Sequence, residues 1–509
     1  MLTTIYSAAL HGIDALRVTI ETIVERGVRF YIVGLPDTAV RESEHRIVAA
    51  MKESGMHFPH KRIVINLAPA DIKKEGAGFD LPIAIGILSA SGDIDPASTE
   101  KTMIVGELSL SGRVLPVKGV LPMAIKAREE GFRRFIVPQE NAREAAIVND
   151  LEVIGVGSLA DAAGFLNGDK EIEPAAVDTR AEFARAESLF NCDFSEVRGQ
   201  ESVKRAFEVA CAGGHNIILI GSPGSGKSMM AKRLPTILPP LTLREALETT
   251  KIHSVAGKLP HGSMLMTSRP FRTPHHTISP VALAGGGSNP HPGEISLAHN
   301  GILFLDEFPE FPRAVLEVLR QPMEDRTVSV SRARYAVDYP ASFMLVASMN
   351  PCPCGYLGHP TRRCTCLPNN IERYRSRISG PLLDRIDIHV SVQPVDFDAI
   401  SDSRPSESSS EIRKRVIRAR EVQSERFKDL PGIYCNAQMT PSMIRKYAWP
   451  DPEGLELLRR RMQKLNMSAR AFDRILRVAR TIADLDGSGS VETRHIAEAA
   501  GYRALDRPV

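Results

Sequence analysis

The chain has 509 residues, which is enough for two to four domains with sizeable buried cores. Its hydrophobic content of 43% and charged content of 25% are those of a globular protein in water, and its formal net charge of +3 means that any nucleic-acid surface must be local. No apolar run is long enough to span a bilayer, and no basic segment followed by an apolar stretch opens the chain. We therefore expect a cytoplasmic protein with reduced thiols and no membrane partner.

The first third of the chain alternates strand-like and helix-like segments, which predicts an α/β domain over residues 1–168. The expected strands cover 29–34, 62–67, 103–110, 134–138 and 153–156, and the expected helices cover 43–54, 81–90 and 120–130. Residues 169–190 are acidic and alanine-rich, contain a proline and lack an apolar stripe. They predict a linker to the next domain.

An apolar strand at 216–220 leads into a segment that fits the phosphate-binding P-loop, G-x-x-x-x-G-K-[ST]. The segment consists of Gly221, Ser222, Pro223, Gly224, Ser225, Gly226, Lys227 and Ser228. Glycines let backbone N–H groups close around phosphate oxygens, Lys227 can reach the β and γ phosphates, and Ser228 can hold Mg²⁺. A strand before the loop and a helix-forming segment after it supply the required context, so the sequence predicts a site for ATP and Mg²⁺.

A second apolar strand, at 301–305, ends in two carboxylates. This is the pattern of a Walker B element, in which Asp306 positions Mg²⁺ and Glu307 orients and deprotonates the attacking water. Six histidines lie in the long stretch between the P-loop and this strand, and none has the i, i+4 spacing of a helical metal site. We expect them to be polar loop residues.

Three later segments resemble parts of AAA+ ATPases. The strand at 343–350 resembles sensor 1, which implies that Asn350 contacts the γ-phosphate or the water. The segment 380–385 resembles the arginine-finger segment, which implies that Arg385 projects into a neighbouring subunit's site. Residues 468–470 open a helix and resemble sensor 2, which implies that Arg470 meets the γ-phosphate, and a solvated arginine in a first helical turn is the open alternative.

Two alternating runs, at 326–331 and 335–339, predict a β-hairpin with Arg332 and Arg334 at its tip. A hairpin immediately before sensor 1 resembles the helix-2-insert branch of AAA+ proteins, in which the hairpins face the central pore of a ring. The resemblance implies that both arginines contact phosphates of a threaded strand. A solvated turn is the competing interpretation.

Four cysteines fall within fifteen positions, namely Cys352, Cys354, Cys364 and Cys366. Two thiolate pairs across a turn-rich loop suit tetrahedral zinc, although the C-x-C spacing is tighter than the usual C-x₂-C. Four reduced cysteines without a metal are the alternative. Beyond residue 411 the chain is helical, with expected helices at 411–428, 453–465, 469–485 and 493–501.

These segments give an ATPase core over 191–398 and a C-terminal helical domain over 411–509. In the first domain, 106–117 resembles the core of the Lon-protease-like domain, and 75–81 resembles the segment that carries the nucleophile in active Lon enzymes. The Lon serine and lysine would fall at Gly78 and Leu121, which can act neither as nucleophile nor as base. The resemblance therefore implies a domain without peptidase activity.

A Lon-protease-like α/β domain, an AAA+ P-loop NTPase core and a C-terminal helical domain together resemble the YifB/ComM family of magnesium-chelatase-like ATPases. The resemblance implies a hexameric ATP-driven helicase that promotes branch migration in natural transformation or recombination, with single-stranded or branched DNA in the ring pore. The main alternative is a magnesium-chelatase-type motor subunit that remodels a protein partner, against which the front domain argues. Gly78 and Leu121 disfavour an ATP-dependent protease, and Glu307 disfavours a nucleotide-gated scaffold.

Overall fold

The computed structural model describes residues 2–178, 192–259, 264–287, 290–332, 335–395, 406–430, 432–465, 467–503 and 505. The chain divides into two compact units. The first is formed by Met1–Ala186 with Leu243–Met266, and the second by Glu187–Thr242 with Thr267–Val509. Every helix in the described ranges is too short or too polar to cross a membrane.

The first unit is built on a mixed seven-stranded sheet in the order β3-β4-β2-β1-β5-β8-β9. The strands of this unit are β1 Leu2–His11, β2 Asp14–Glu25, β3 Phe30–Val33, β4 Arg62–Ala68, β5 Thr102–Ile104, β6 Glu107–Leu108, β7 Val114–Leu115, β8 Arg134–Pro138 and β9 Glu152–Val156. β1–β2 and β2–β4 are antiparallel, the other pairs of the large sheet are parallel, and β6–β7 form a separate ribbon. The expected segment 103–110 is thus two short strands rather than one.

Helices cover the sheet of the first unit. They are Thr38–Arg41, Ser43–Glu53, Asp80–Ser91, Val120–Glu129, Ala142–Ala145, Leu159–Asn167 and Leu243–Val255. The helix Asp80–Ser91 is buried on all sides from Asp80 to Ala90, which explains its unbroken apolar sequence. The predicted helices at 43–54, 81–90 and 120–130 are confirmed to within one residue at each end.

The helix Leu243–Val255 differs from the sequence-based expectation, because the ATPase core was expected to contain it. It belongs instead to the first unit, where the Gly119 N–H donates to the Ser254 carbonyl over 3.2 Å. The Ser254 hydroxyl and the Leu121 N–H donate to the buried Glu144 carboxylate. Burial raises the pKa of Glu144, while these hydrogen bonds oppose the shift.

The two positions at which the sequence resemblance puts the Lon serine and lysine lie in ordinary structural surroundings. Gly78 sits in the turn Ala77–Phe79, and Leu121 is fully buried in the helix Val120–Glu129. Beside this turn the buried Asp80 accepts two hydrogen bonds from Arg46, at 2.6 and 2.9 Å, and burial raises the pKa of Asp80 to about 6. This ion pair ties two helices together, and neither position supplies a nucleophile.

The second unit contains a five-stranded parallel sheet in the order β11-β14-β17-β10-β18. Its strands and ribbons are β10 Ile217–Gly221, β11 Phe271–Arg272, β12 Gly285–Gly286, β13 His291–Pro292, β14 Ile302–Leu305, β15 Thr327–Arg332, β16 Tyr335–Pro340, β17 Met344–Met349 and β18 Ile388–Val392. Every residue of β10, β14 and β17 is buried. A parallel strand covered on both faces needs apolar residues throughout, which is why these three segments stand out in the sequence.

The predicted hairpin before β17 is confirmed by the antiparallel pairing of β15 with β16, from Thr327 opposite Pro340 to Arg332 opposite Tyr335. The side chain of Arg332 and the whole of Arg334 lie outside the described residues. A second, shorter ribbon joins β12 to β13.

The last helices of the second unit, from Ser409–Phe427 to Thr493–Gly501, form a bundle. Within the described residues the helices of this unit are Glu201–Gly213, Lys227–Ala231, Pro280–Ala284, Glu294–Leu297, Arg313–Val318, Pro322–Asp325, Pro368–Arg375, Gly380–Leu383, Ser409–Phe427, Pro441–Tyr447, Pro452–Leu465, Ala469–Leu485 and Thr493–Gly501. Ser408 and Glu411 form a capping box at the start of the long helix Ser409–Phe427. Val416 and Ile475 of the bundle belong to the same apolar core as Phe207 and as Leu219 of β10, so the bundle and the sheet share one core.

Candidate nucleotide site

The P-loop connects the carboxyl end of β10 to the helix that begins at Lys227. Gly224 and Gly226 adopt left-handed φ angles of +79° and +86°, which residues with a Cβ rarely adopt. At Gly221 an added Cβ would lie 2.6 Å from the Val392 carbonyl oxygen of β18. Three glycines of the motif are therefore required by backbone conformation or by close packing, and they hold the loop tightly curved.

Lys227 turns its side chain back into this loop. Its Nζ donates to the carbonyls of Gly221 and Ser222 at 2.8 and 2.9 Å, and it lies 3.4 Å from Oδ1 of Asn350. Burial lowers the pKa of Lys227, and the nearby carboxylates of Asp306 and Glu307 oppose that shift. A desolvated ammonium group at the centre of a glycine loop attracts a bound anion strongly.

Asp306 follows β14 and is held by two hydroxyl groups. The Ser228 hydroxyl donates to Oδ2 of Asp306 over 2.6 Å, and the Ser348 hydroxyl donates to the other oxygen, Oδ1. No sequence motif marks Ser348, although it is the one serine in the buried run of β17. The structure thus brings together the P-loop serine and the Walker B aspartate, and it adds a second hydroxyl to their group.

Glu307 has a left-handed backbone, with φ +53°, and an exposed carboxylate. Non-glycine residues in this conformation are uncommon and occur preferentially at functional sites. Oε2 of Glu307 lies 3.7 Å from Nδ1 of His276, which comes four residues after β11, the strand beside β14. The ring of His276 also packs against that of His275 in a tilted arrangement, with ring centroids 4.1 Å apart. One of the histidines assigned to a polar loop thus faces the Walker B glutamate.

Asn350 follows β17 and is half-buried beside Lys227. Burial raises the pKa of the nearby Tyr374 to about 12, and the Asn350 backbone opposes that shift. Lys227, Asp306 and Asn350 come from the ends of three neighbouring parallel strands, which meet at one edge of the sheet. Polar groups from distant parts of the sequence converge there because parallel strands place their carboxyl ends together.

Arg385 and Arg470 lie at the opposite edge of the same sheet. Arg470 lines a cavity of about 500 Å³ together with Asn216, which directly precedes β10, and Asp387, which directly precedes β18. Arg385 is buried nearby and bonds Glu324 at 2.7 Å and the Pro381 carbonyl at 2.6 Å. The five residues of β10 put roughly 16 Å of strand between this edge and the P-loop. Within one chain, neither arginine joins the group around Lys227.

The cavity at this edge is rich in partly desolvated arginines. Arg326, Arg474 and Arg477 line it as well, and burial lowers the pKa values of Arg326 and Arg477. The Nε atoms of Arg385, Arg474 and Arg477 are buried without a hydrogen-bond partner among the described residues. Guanidinium groups with unused donors are suited to an additional anion.

The four clustered cysteines meet in space as the sequence predicts. Their Sγ atoms all lie within 4.8 Å of one another, and three of the pairs are separated by 3.4 to 3.7 Å. A tetrahedral site with Zn–S bonds of about 2.3 Å requires S···S separations of about 3.8 Å. The thiol groups are therefore spaced as ligands of one metal ion.

This fold and this arrangement of a P-loop with a Walker B carboxylate define a P-loop ATPase of the magnesium-chelatase class. The family profile described as magnesium chelatase, subunit ChlI, matches residues 193–400. Profiles described as subunit ChlI of Mg-chelatase and as the ChlI C-terminal region match residues 20–141 and 406–503.

Full-length relatives make the assignment more specific. The chain is 41% identical to competence protein ComM of Haemophilus influenzae over 99% of this chain and 97% of that protein. It is also 41% identical to the uncharacterized protein YifB of Escherichia coli, over 99% of this chain and 98% of that protein. DNA replication licensing factor mcm6 of Dictyostelium discoideum is 22% identical over 64% of this chain and 36% of that protein. The chain belongs to the ComM/YifB family of magnesium-chelatase-like ATPases.

Proposed function

We propose that this protein is an ATP-hydrolysing ring motor acting on DNA, a helicase that promotes branch migration in natural transformation or recombination. The convergence of Lys227, Asp306 and Asn350 at one sheet edge carries the ATPase part of the proposal. The DNA part is supported by full-length similarity to a relative named as a competence protein and by partial similarity to a DNA replication licensing factor. The proposed compartment is the cytoplasm, where ATP and DNA are both available.

The residues at the sheet edge that carries the P-loop are suited to bind ATP and Mg²⁺. Lys227 supplies a buried ammonium group for the β and γ phosphates, and Ser228 and Asp306 already lie 2.6 Å apart as a pair of oxygen ligands for Mg²⁺. Mg²⁺, when bound there, neutralises charge on the phosphate oxygens. Ser348 fixes the orientation of the Asp306 carboxylate by donating to its second oxygen.

Glu307 is the proposed general base of hydrolysis. Its carboxylate accepts a proton from the attacking water, and the Asn350 amide orients that water or the γ-phosphate. His276, 3.7 Å from Glu307, is placed to hold the carboxylate in position. Arg385 and Arg470 complete the site of a neighbouring subunit, because both lie at the sheet edge opposite their own P-loop. Such a head-to-tail contact can repeat around a closed ring, and the family resemblance gives the proposed number of six subunits.

The front domain, over residues 1–168, is proposed to be a Lon-protease-like fold without peptidase activity, because Gly78 and Leu121 stand where a nucleophile and a base are needed. Residues 169–190 then act as the linker, 191–398 as the ATPase core and 411–509 as the C-terminal helical domain.

The experiment for the DNA proposal compares ATP turnover without DNA and with single-stranded, duplex and forked DNA. We expect single-stranded or forked DNA to raise kcat and forked DNA to be unwound, with Lys227→Ala as the inactive control. Equal turnover under all four conditions would contradict the DNA proposal and favour the alternative, a magnesium-chelatase-type motor subunit that remodels a protein partner. That alternative is favoured by the ChlI profiles that match all three regions.

A double variant, Arg332→Ala with Arg334→Ala, tests the proposed DNA contacts of the β15–β16 hairpin. Each lost phosphate contact lowers the slope of log affinity against log salt by about 0.7 for single strands, so we expect a decrease of about 1.4. Fluorescence anisotropy with labelled single-stranded DNA measures this slope. Arg459→Ala removes an exposed arginine from the helix Pro452–Leu465 and serves as control. An unchanged slope in the double variant would exclude the hairpin tip as the contact.

We further propose that Cys352, Cys354, Cys364 and Cys366 bind one Zn²⁺ ion, because their Sγ atoms lie within 4.8 Å of one another. Protein purified without chelators should contain about one zinc per chain, as for one four-thiolate site. Cys364→Ser should lose most of it, whereas Cys192→Ser, at a cysteine outside the cluster, should keep it. Elemental analysis measures the zinc content of each protein, and wild-type protein without metal would refute the zinc site.

A further inference from the structure

The loop that carries the four cysteines begins and ends at the ATP site. Cys352 is fully buried two residues after Asn350, so the first thiol sits beside the end of β17. The loop ends at Cys366, and the following helix Pro368–Arg375 carries the buried Tyr374, which lies near enough to the Asn350 backbone for that backbone to lower the pKa of its hydroxyl. Both ends of the cysteine loop therefore lie next to Asn350.

The same loop also touches the P-loop. At Gly355 an added Cβ would lie 2.5 Å from Cδ and 2.8 Å from Cγ of Pro223, so the backbone at this glycine rests directly on the proline ring of the P-loop. A small cavity of about 230 Å³ is lined by Gly221 and Ser222 of the P-loop and by Leu357 and His359 of the cysteine loop. The cysteine loop is thus one wall of the space around the P-loop.

No helix or strand lies within residues 352–366. Its described internal bonds include Gly355 N–H to the Cys352 carbonyl at 2.9 Å and Cys354 N–H to the Cys366 thiol at 3.4 Å. A segment of this kind keeps one shape when its thiols are joined by a metal, because the metal bonds replace the missing regular structure. The position of Gly355 on Pro223 then depends on the metal.

We propose that a metal ion at the four cysteines positions the P-loop and Asn350, so that ATP binding and turnover depend on a site that does not contact the nucleotide. The route runs from the thiols through Gly355 to Pro223, and through Cys352 and Tyr374 to Asn350. This inference rests on the proposed ATPase function and on the proposed zinc site. It makes the cysteines positioning residues for the reaction.

Two glycines of the loop provide a matched test. Gly355 and Gly358 both have left-handed φ angles, +81° and +74°, but a Cβ at Gly358 would meet nothing within 4 Å. Alanine at either position imposes a similar backbone strain, and only Gly355→Ala pushes against Pro223. We expect both variants to keep about one zinc per chain. Gly355→Ala should lower kcat roughly ten- to a hundredfold, because small misplacements at a reacting centre have effects of this size. Gly358→Ala should stay near wild type.

The readouts are zinc content, kcat and KM for ATP, the affinity for a fluorescent ATP analogue, and Tm. Equal kcat and equal analogue affinity in the two variants would overturn the coupling, as would a Gly358→Ala defect as large as that of Gly355→Ala. A second arm removes zinc from wild-type protein with a zinc-selective chelator under excess Mg²⁺ and then restores it. Turnover and analogue affinity should fall and recover with zinc content.

The failures of the separate proposals can be told apart. Wild-type protein that is purified without chelators, contains no metal and still hydrolyses ATP overturns the coupling and the zinc site and leaves the ATPase proposal intact. Protein that loses its zinc only to the chelator and keeps its turnover overturns the coupling alone. Zinc-loaded wild-type protein that hydrolyses no ATP overturns the proposed function. The analogue affinities of Gly355→Ala and Gly358→Ala then still decide whether the cysteine loop positions the P-loop.

Discussion

Glu307→Gln protein is expected to bind ATP with near-normal affinity and to hydrolyse it roughly 10² to 10⁴ times more slowly, the usual contribution of a general base. Glutamine keeps the size and the hydrogen-bonding reach of glutamate but cannot accept the proton of the attacking water. Because the carboxylate is exposed and points away from the core, the substitution should leave folding unchanged. Single-turnover hydrolysis and binding of a fluorescent ATP analogue measure the two effects separately.

Two comparisons make this result specific. Glu310→Gln alters another exposed glutamate, three residues later, whose partner is Arg377, and should hydrolyse ATP at the wild-type rate. Lys227→Ala should instead lose ATP binding itself, because the phosphates lose their buried cation, a change that costs about 2–5 kcal/mol for a buried charge pair. Lys232→Ala, which removes an exposed lysine five residues after Lys227, is the control for Lys227→Ala. Near-normal turnover in Glu307→Gln would refute the role assigned to Glu307.

Arg385→Ala protein should be inactive alone, with a loss of roughly 10³ or more in turnover, the effect expected of an arginine finger. Arg385 lies at the sheet edge opposite its own P-loop and bonds Glu324, so we expect it to act on a neighbouring subunit's site. Mixing Arg385→Ala with Lys227→Ala subunits should restore activity at interfaces that join an intact P-loop with an intact arginine. With equal amounts and free exchange this is up to about a quarter of the sites, because each side of a heterologous interface is drawn independently.

Arg373→Ala, which removes an exposed arginine from the helix Pro368–Arg375, is the matched control and should keep full activity. Labelled subunits show whether exchange takes place. If exchange occurs and mixing restores nothing, or if Arg385→Ala alone retains full activity, the assignment in trans is wrong. The same mixture with Arg470→Ala in place of Arg385→Ala asks whether the second arginine of this edge also acts across the interface.

Periodicity predicted much of the fold of this chain. Predominantly apolar runs predicted β10, β14 and β17, because strands covered on both faces have few positions for polar side chains. Helical spacing predicted Ala469–Leu485 and Thr493–Gly501 to the residue. The opening hairpin β1–β2 was missed, although Val18, Ile20 and Val24 alternate as a half-buried strand requires. The helix Leu243–Val255 could not be assigned to the first unit, because its pattern shows that one face is buried and not what buries it.

The sequence by itself determined the chemistry that this protein can perform. The order of residues in the P-loop and the two carboxylates after β14 point to phosphate and Mg²⁺ binding because those reactions need these groups at fixed spacings along the chain. Only the tertiary structure decided which groups meet. It brought Ser348 to Asp306 and His276 to Glu307, put Arg385 and Arg470 at the far edge of the sheet, and set Gly355 against Pro223. These contacts join residues that are distant in sequence, and their distances depend on strand order and loop path, which local patterns do not encode.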